Sequence, residues 1–146
     1  MFKAADFWHF SLERYARAGV KDACLKLQDE YGFNVNLLLL ACYLNELNYG
    51  CNVRQFGQLI EAVLASQQGI QQHRMQRKML KGTDHQQYQR LLAEELEMEK
   101  QQQQILIDTL CVIKPDKSRQ DNLLNYCHAM KHELTDESGI YLAALY

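Results

Sequence analysis

An unbroken apolar run of eight residues, from Leu37 to Leu44, constrains the fold of this chain more than any other feature. In a helix such a run makes more than two turns, so every face is apolar and has to be buried. The run is too short to span a bilayer, which takes about 20 apolar residues. Because leucine and alanine favour helix, we predict a buried central helix over residues 34–48, capped by Asn34.

The composition predicts an all-α, single-domain protein. The chain has 146 residues, of which 47% are hydrophobic and 23% charged, and these values are typical of a globular domain. One proline and seven glycines leave few breaks between helices. We therefore predict that residues 1–146 form one helical bundle of about six to seven helices around the central helix.

Capping residues and apolar periodicity give the expected helix ends. The predicted helices cover about residues 6–17, 20–31, 34–48, 52–66 (continuing as 70–81 beyond a bend near Gly69), 86–112, 118–134 and 137–145. Asn52 with Gln55, and Asp84 with Gln87, have the spacing of a capping box, which predicts a helix start at each pair.

We predict that residues from about 70 to 112 form a long helical hairpin. Twelve of the sixteen glutamines lie between Gln67 and Gln104, and polar residues such as Glu95 and Gln102 interrupt the apolar stripe of the long helix. A polar hairpin of this kind is expected to project into solvent. Its apolar stripe is longer than two isolated helices use, which predicts a homodimer or a protein partner.

The charge of the chain is small overall but uneven along its length. The net charge of −2 argues against binding nucleic acid over the whole surface. Residues 1–82 carry 10 Lys and Arg against 7 Asp and Glu, whereas residues 83–146 carry 6 against 11. The two parts either attract each other or present a charged surface to a partner.

Five cysteines without a Cys-x-x-Cys pair predict reduced thiols, with no zinc ribbon or disulfide framework. Cys51, between Gly50 and Asn52, follows a predicted helix end and is the thiol we expect to be exposed. The N-terminal residues lack an apolar segment of signal-peptide length. We expect a cytoplasmic protein without a membrane segment.

The asparagines of the central helix suggest a ligand pocket. Asn36 and Asn45 lie on an otherwise apolar helix, and an unpaired buried amide destabilises a fold by about 1–3 kcal/mol. Either these amides bond to neighbouring backbone, or they line a small polar pocket together with Trp8, Tyr15 and Tyr43. Both interpretations follow from the residues, and the five side chains are the pocket candidates.

A basic ridge is predicted on the helix that follows Gly69. Its members are spaced at i, i+3, i+4 and i+7 and so share one helix face: Arg74, Arg77, Lys78 and Lys81. Such a ridge either binds an anion such as phosphate or pairs with the acidic residues 94–99 of the next helix. Nucleic acid is not an expected partner, because tight binding needs more than four cations without aromatic partners.

The remaining patterns predict neither a catalytic residue nor a cofactor. His128 and His132 are four residues apart on a predicted helix, a spacing that can share a metal ion. The chain has no Glu-x-x-His, His-Glu-x-x-His, P-loop or Gly-x-Ser-x-Gly. We therefore interpret the two histidines as solvated side chains and predict no metal site.

One further pattern extends over residues 7–40. It consists, in order, of Phe7-Trp8-x-Phe10, Tyr15, Gly19-Val20, Ala23-Cys24-Leu25-x-Leu27-Gln28-Asp29, Gly32 and Val35-Asn36-Leu37-Leu38-Leu39. This pattern resembles a family of conserved hypothetical bacterial proteins, mostly proteobacterial, that carries a domain-of-unknown-function label. The resemblance is looser from Arg74–Leu80 into the long helix, and Asn34 and Tyr43 stand where such proteins often have Asp and Trp. It implies a helical fold and a cytoplasmic setting, and no site residues.

The function itself is not encoded in any motif. Our first hypothesis is a non-enzymatic helical module that binds a protein partner or a second copy of itself through the polar hairpin. The alternative is a domain, possibly catalytic, that binds a small molecule or phosphate in the asparagine pocket or on the basic ridge. An enclosed pocket beside Asn36 and the aromatic residues of the first helix would favour the alternative.

Overall fold

Eight α-helices make up the computed structural model of this chain, which describes residues 2–146. They are α1 (Ala4–Tyr15), α2 (Val20–Tyr31), α3 (Val35–Leu47), α4 (Val53–Ala62), α5 (Leu64–Leu80), α6 (His85–Ile113), α7 (Asn122–Ala129) and α8 (Asp136–Ala143). The described range contains no strand, only an isolated bridge between Gly50 and Asp116. The predicted all-α fold is thus confirmed, with one or two more helices than expected. None of these helices is both long and apolar enough to cross a bilayer.

The apolar run forms α3, and all residues from Asn36 to Leu44 are buried. Helices α1, α2, α6 and α7 pack against α3, which explains why its sequence leaves no face for water. Asn34 caps α3 as predicted, because its side-chain oxygen accepts a hydrogen bond from the Leu37 N–H at 3.2 Å. The Asn34 N–H donates to the Tyr126 hydroxyl at 2.8 Å, so the start of α3 is also joined to α7.

The predicted break near Gly69 is wrong. The chain bends at Val63, between α4 and α5, and α5 continues through Gly69. A Cβ atom at Gly69 would lie 3.6 Å from the Cε atom of Met98, so this glycine lies where α5 packs against α6. Gly69 therefore marks a place where two helices pack closely, and not the end of a helix.

The predicted helix over residues 118–134 is shorter in the structure. Asp121 caps α7 in place of Ser118, since its carboxylate accepts a hydrogen bond from the Leu124 N–H at 3.1 Å. The helix ends at Ala129, and Lys131 then adopts a left-handed φ of 58°. His128 and His132 therefore do not share a helix face, because His132 lies beyond the end of α7.

Helices α5 and α6 form the predicted long hairpin. It covers residues 64–113 instead of 70–112, and the turn at 81–84 connects the two helices. They are antiparallel, because Gln67 contacts Gln102 whereas Arg77, nearer the turn, contacts Glu95. Polar side chains therefore hold the two helices together both near the turn, at Arg77, and farther from it, at Gln67.

Asn122 joins three parts of the chain at the carboxyl end of α3. Its buried Nδ2 donates hydrogen bonds to Asn45 Oδ1 at 2.7 Å and to the Tyr49 carbonyl at 2.9 Å. Its Oδ1 accepts a hydrogen bond from the Cys51 N–H at 2.9 Å. One side chain thereby connects α3, the loop before α4 and α7.

We expect Asn122→Ala to lower the free energy of unfolding by about 2–4 kcal/mol, because the buried Cys51 N–H loses its partner together with Asn45. Urea denaturation followed by circular dichroism measures this change. Asn125→Ala is the matched control, since it removes only part-buried bonds to the Cys51 carbonyl and to Gln120. Its effect should be less than half as large, and equal effects would contradict the role assigned to Asn122.

Cys111 is expected to be the reactive thiol of the native protein. The expectation for Cys51 is wrong, because of the five cysteines only Cys111 is exposed, while Cys24, Cys42, Cys51 and Cys127 are buried. Burial raises the pKa of Cys51 to about 12, which suppresses the reactive thiolate. Mass spectrometry after maleimide labelling should show one adduct in buffer and five in urea. Rapid native labelling of a Cys111→Ser variant would contradict this.

Candidate functional site

A groove of about 910 Å³ runs between the α1–α2 pair and the α5–α6 hairpin. Trp8 and Tyr15 line it from α1, and Leu25 lines it from α2. The opposite wall comes from the hairpin, and the start of α3, including Asn36, contributes to the floor. The groove therefore lies where five helices meet, a common location for a binding site in helical proteins.

The structure brings together two sets of residues that the sequence suggested separately. Three pocket candidates, Trp8, Tyr15 and Asn36, line the groove together with all four residues of the basic ridge, 74, 77, 78 and 81. Nothing in the local sequence relates α1 to α5, because their proximity depends on how the hairpin docks on the body. One groove thus contains most of the predicted site residues.

Tyr43 and Asn45, the other two pocket candidates, do not line this groove. Tyr43 is buried in the core, where its ring stacks on Phe7 at a centroid distance of 5.3 Å. Asn45 accepts hydrogen bonds from Asn122 and adjoins a separate, smaller cavity of about 400 Å³ near Tyr146. Asn45 is distant from the groove because it lies more than two turns after Asn36, near the opposite end of α3.

The groove floor is a layer of hydrogen-bonded amides centred on Asn36. Its Nδ2 donates to the Glu99 carbonyl at 3.1 Å and to Gln102 Oε1 at 3.0 Å. Its Oδ1 accepts from Gln103 Nε2 at 3.0 Å. Sequence reasoning left open whether Asn36 bonds to neighbouring groups or lines a pocket, and the structure shows both.

Gln102 extends this layer toward α5. Its Nε2 donates to Ser66 Oγ at 3.0 Å and to Gln67 Oε1 at 3.1 Å, and its Oε1 also accepts from Asn34 Nδ2 at 3.3 Å. Gln102 was not among the predicted site residues. The sequence feature that could have identified Gln102 is its polar side chain at a position where the apolar stripe of α6 faces the core.

Gln103 completes the floor and leaves one atom unpaired. Its Nε2 donates to Ser11 Oγ at 2.9 Å as well as to Asn36. The buried Gln103 Oε1 has no hydrogen-bond partner within the described chain, although the residue lines the groove. An unpaired buried acceptor destabilises the fold by about 1–3 kcal/mol.

Arg74 and Arg77 of the basic ridge form ion pairs with α6. Arg74 Nε lies 2.9 Å from Glu95 Oε1, and Arg77 Nε lies 2.6 Å from Glu95 Oε2. Arg74 also reaches Glu99 at 3.4 Å, and Arg77 donates to the Tyr88 hydroxyl at 3.2 Å. For these two residues the structure shows the internal pairing that the sequence allowed.

Lys78 and Lys81, by contrast, are exposed and make no ion pair with any residue in the range 2–146. Lys21 on α2 is a third lysine on the groove lining that makes no ion pair within the same range. In total the lining carries five Lys and Arg against Asp29, Glu95 and Glu99. The groove is therefore positively charged, although the chain as a whole is acidic.

Exposed leucines make the walls of the groove apolar. Leu12 of α1 is 54% exposed and Leu96 of α6 is 52% exposed. Leu25 and Leu92 are also exposed along the lining. Uncovered leucines from three helices that face one groove form an apolar patch of the kind that binds a partner.

Tyr15 and Glu99 are two acidic groups of the groove whose pKa values are shifted. Burial, followed by the nearby Cys24 and Glu99, raises the pKa of Tyr15 to about 12, so its phenol stays protonated at neutral pH. Burial also raises the pKa of the Glu99 carboxyl, while Arg74 opposes the shift. The Tyr15 phenol and the Glu99 carboxyl can take part in hydrogen bonds. They do not form the pair of a nucleophile and a base that covalent catalysis requires.

The two histidines do not form a metal site with other ligands in the structure. His132 Nε2 lies 3.1 Å from Ser138 Oγ, and its ring packs edge-on against Tyr31 and Phe33. His128 is exposed. Among residues 2–146 no three side chains of His, Cys, Asp or Glu lie close enough to bind one metal ion.

We expect Glu95→Ala to lower the free energy of unfolding by about 2–4 kcal/mol, because it leaves two largely buried guanidinium groups without their shared carboxylate. Thermal denaturation and urea denaturation both report this change. Glu94→Ala, on the same helix, is the control, since its pairs with His73 and Arg90 are more exposed. That variant should lose less than about 1 kcal/mol. A larger loss for Glu94→Ala would contradict the central role of Glu95.

Comparison with known proteins identifies a family and no activity. No curated protein and no solved structure matches the chain. A family model described as "Protein of unknown function (DUF2390)" matches residues 6–106. Every residue that lines the groove, from Trp8 to Gln103, lies within that range, whereas the smaller cavity extends beyond it to Tyr146. The match covers more than two thirds of the sequence, and the chain therefore belongs to this family of proteins of unknown function.

Proposed function

We propose that this protein is a non-enzymatic interaction module whose groove binds a helical segment of a partner protein with an apolar face and acidic flanks. The observation that carries the proposal is the combination, along one groove, of exposed leucines with lysines that have no acidic partner. The hairpin provides one wall, so the proposal keeps the hairpin as the contact surface. In the same proposal, residues 1–146 form a single domain built around α3.

Apolar contacts supply the binding energy in this proposal. Leu92 and Leu96 are one turn apart on α6 and line the groove together. Leu12 and Leu25 line it from the other wall. An amphipathic helix places apolar side chains at i, i+3, i+4 and i+7, which is the pattern that occupies a groove between helices.

Charge determines which helix is preferred. Lys21 lies on one wall of the groove, and Lys78 and Lys81 lie on the other. Cations are therefore present on both walls beside the apolar patch. Acidic residues beside the apolar face of the bound helix would complement them, while basic residues would be repelled. The long-range part of this attraction is screened by salt, so association should slow as ionic strength rises.

A helix suits the groove better than an extended segment. The part of the chain that the structure describes has no strand whose free edge an extended peptide could extend. The amides of the floor are already bonded to one another and offer few partners to a peptide backbone. A helix satisfies its own backbone and needs only side-chain contacts.

The setting proposed for this module is the cytoplasm of a bacterium. The five cysteines are all unpaired, which supports a reducing compartment. The family resemblance found in residues 7–40 supports a bacterial origin. Neither observation bears on the identity of the partner.

Titration of Trp8 fluorescence tests the proposal, because Trp8 is the only tryptophan and lines the groove. The probe is a tryptophan-free helical peptide of about 15 residues, with leucines on one face and glutamates beside them. We expect saturable binding that weakens at least about tenfold in Leu96→Arg, since a charge then replaces an apolar contact. Val112→Arg is the matched control, because Val112 is 79% exposed on the same helix outside the groove.

Three results would overturn the proposal. Equal binding of a peptide with lysines in place of glutamates would remove the basis for acidic flanks. A response to a long-chain fatty acid but not to the peptide would assign the groove to a small amphipathic anion, the alternative function. A light-scattering mass of two chains that returns to one in Leu96→Arg would assign it to a second copy.

A further inference from the structure

The unpaired lysines of the hairpin wall lie at one end of the groove. Lys78 and Lys81 are the lining residues after α5 has passed Arg77, and they are the nearest to the turn at 81–84. Gln67 is the α5 lining residue farthest from that turn, and about 20 Å of helix separates it from Lys81. We call the two ends of the groove the turn end, at Lys81, and the floor end, at Gln67.

Helix α1 of the opposite wall runs toward the turn end. Ser11 Oγ accepts a hydrogen bond from Gln103 Nε2 at 2.9 Å, at the level of the floor. Tyr15 lies one turn later on α1 and has Glu99 as a neighbour. Glu99 is one turn nearer the turn end on α6 than Gln103. The chain therefore starts α2 displaced toward the turn end.

Helix α2 returns to the floor end. Lys21 in its first turn and Asp29 in its last turn both line the groove. Just after α2, Asn34 Nδ2 donates to Gln67 Oε1 at 3.0 Å and to Gln102 Oε1 at 3.3 Å. Lys21 therefore lies toward the turn end, whereas the acidic Asp29 lies toward the floor end.

The charges between the two ends largely cancel. Arg74 and Arg77 pair with Glu95, and Arg74 also pairs with Glu99. Three lysines of the lining have no ion pair among residues 2–146, and all lie toward the turn end: Lys21, Lys78 and Lys81. The groove is therefore asymmetric, with a positive turn end and a floor end that carries Asp29.

We propose that this asymmetry orients the bound helix with its C-terminus at the turn end, and that the groove selects a segment whose acidic residues lie in its C-terminal turns. The orientation rests on the proposed function and specifies the partner more closely. A helix C-terminus carries a partial negative charge, which adds to that of acidic side chains in its last turns. The lysines at the turn end complement both charges.

Charge, and not the leucine pattern, decides between the two orientations. Apolar positions i, i+3, i+4 and i+7 have the same spacing from either end, so Leu92 and Leu96 can pack against the helix in both directions. The reversed helix would place its partly positive N-terminus at Lys78 and Lys81 and its C-terminus toward Asp29. Acidic residues in the last turn also destabilise an isolated helix, so a segment that carries them gains more from the lysines on binding.

Two tryptophan-free helical peptides test the selectivity. They share one leucine face and one amino-acid composition, and they carry their glutamates in either the C-terminal or the N-terminal turns. We expect the peptide with C-terminal glutamates to bind at least about threefold more tightly, as measured by Trp8 fluorescence. In the Lys78→Gln/Lys81→Gln variant, which changes only exposed side chains, this preference should disappear.

Lys117→Gln/Lys131→Gln is the matched control, since it removes the same charge from exposed positions that do not line the groove. It should keep the preference for C-terminal glutamates. Loss of the preference in both double variants would show an effect of total charge and would overturn the assignment to the turn end.

Trp8 also measures the orientation of the bound peptide. It lies nearer the floor end, because Lys100 Nζ is 5.6 Å from the centre of its ring and Lys100 is within one turn of Gln103. The probes are the peptide with C-terminal glutamates carrying a nitroxide, a short-range quencher, at either its N-terminus or its C-terminus. We expect the N-terminal nitroxide to cause the larger loss of Trp8 fluorescence at saturation. Equal losses, or a larger loss from the C-terminal nitroxide, would contradict the proposed orientation.

Failure of the orientation is distinguishable from failure of the proposed function. If the two peptides bind equally, or if the one with N-terminal glutamates binds more tightly, the orientation is wrong and the proposed function stands. If neither peptide binds, and the peptide with glutamates along the whole leucine face does not bind either, the proposed function itself fails.

Discussion

Burial of the central part of α3, from Asn36 to Leu44, is the constraint on which the rest of the structure depends. A helix that is apolar on every side needs neighbours on every side, and α1, α2, α6 and α7 provide them. Its first turn carries Asn34 and Asn36 into the interior with the leucines. Buried amides require partners, so the polar side chains that face this turn are as necessary to the fold as the apolar ones.

The docking of the hairpin follows from that requirement. Gln67 on α5 and Gln102 and Gln103 on α6 pair with the two asparagines, so the hairpin is joined to the body by amides. Nearer the turn between α5 and α6, Glu95 holds the two helices together through Arg74 and Arg77. Leu92 and Leu96 of α6 line the groove and remain exposed.

Local signals predicted most of the helices, because a cap or an apolar period acts within one or two turns. The caps at Asn34 and Asn52 are present at the predicted residues. The break assigned to Gly69 was wrong, since glycine also occurs where two helices pack closely, as α5 does on α6. The helix assigned to residues 118–134 was too long, because Asp121 can cap a helix as well as Ser118 can.

The sequence by itself determined that the chain is helical, that α3 is buried and that its asparagines and the basic ridge are unusual, because these follow from residue type and spacing. Only the tertiary structure decided that Asn36 shares a groove with the ridge while Asn45 bonds to Asn122. It also decided that Gln103, one of four consecutive glutamines, is buried with an unpaired oxygen. Such pairings join residues far apart in the chain, and only packing of the whole chain brings them together.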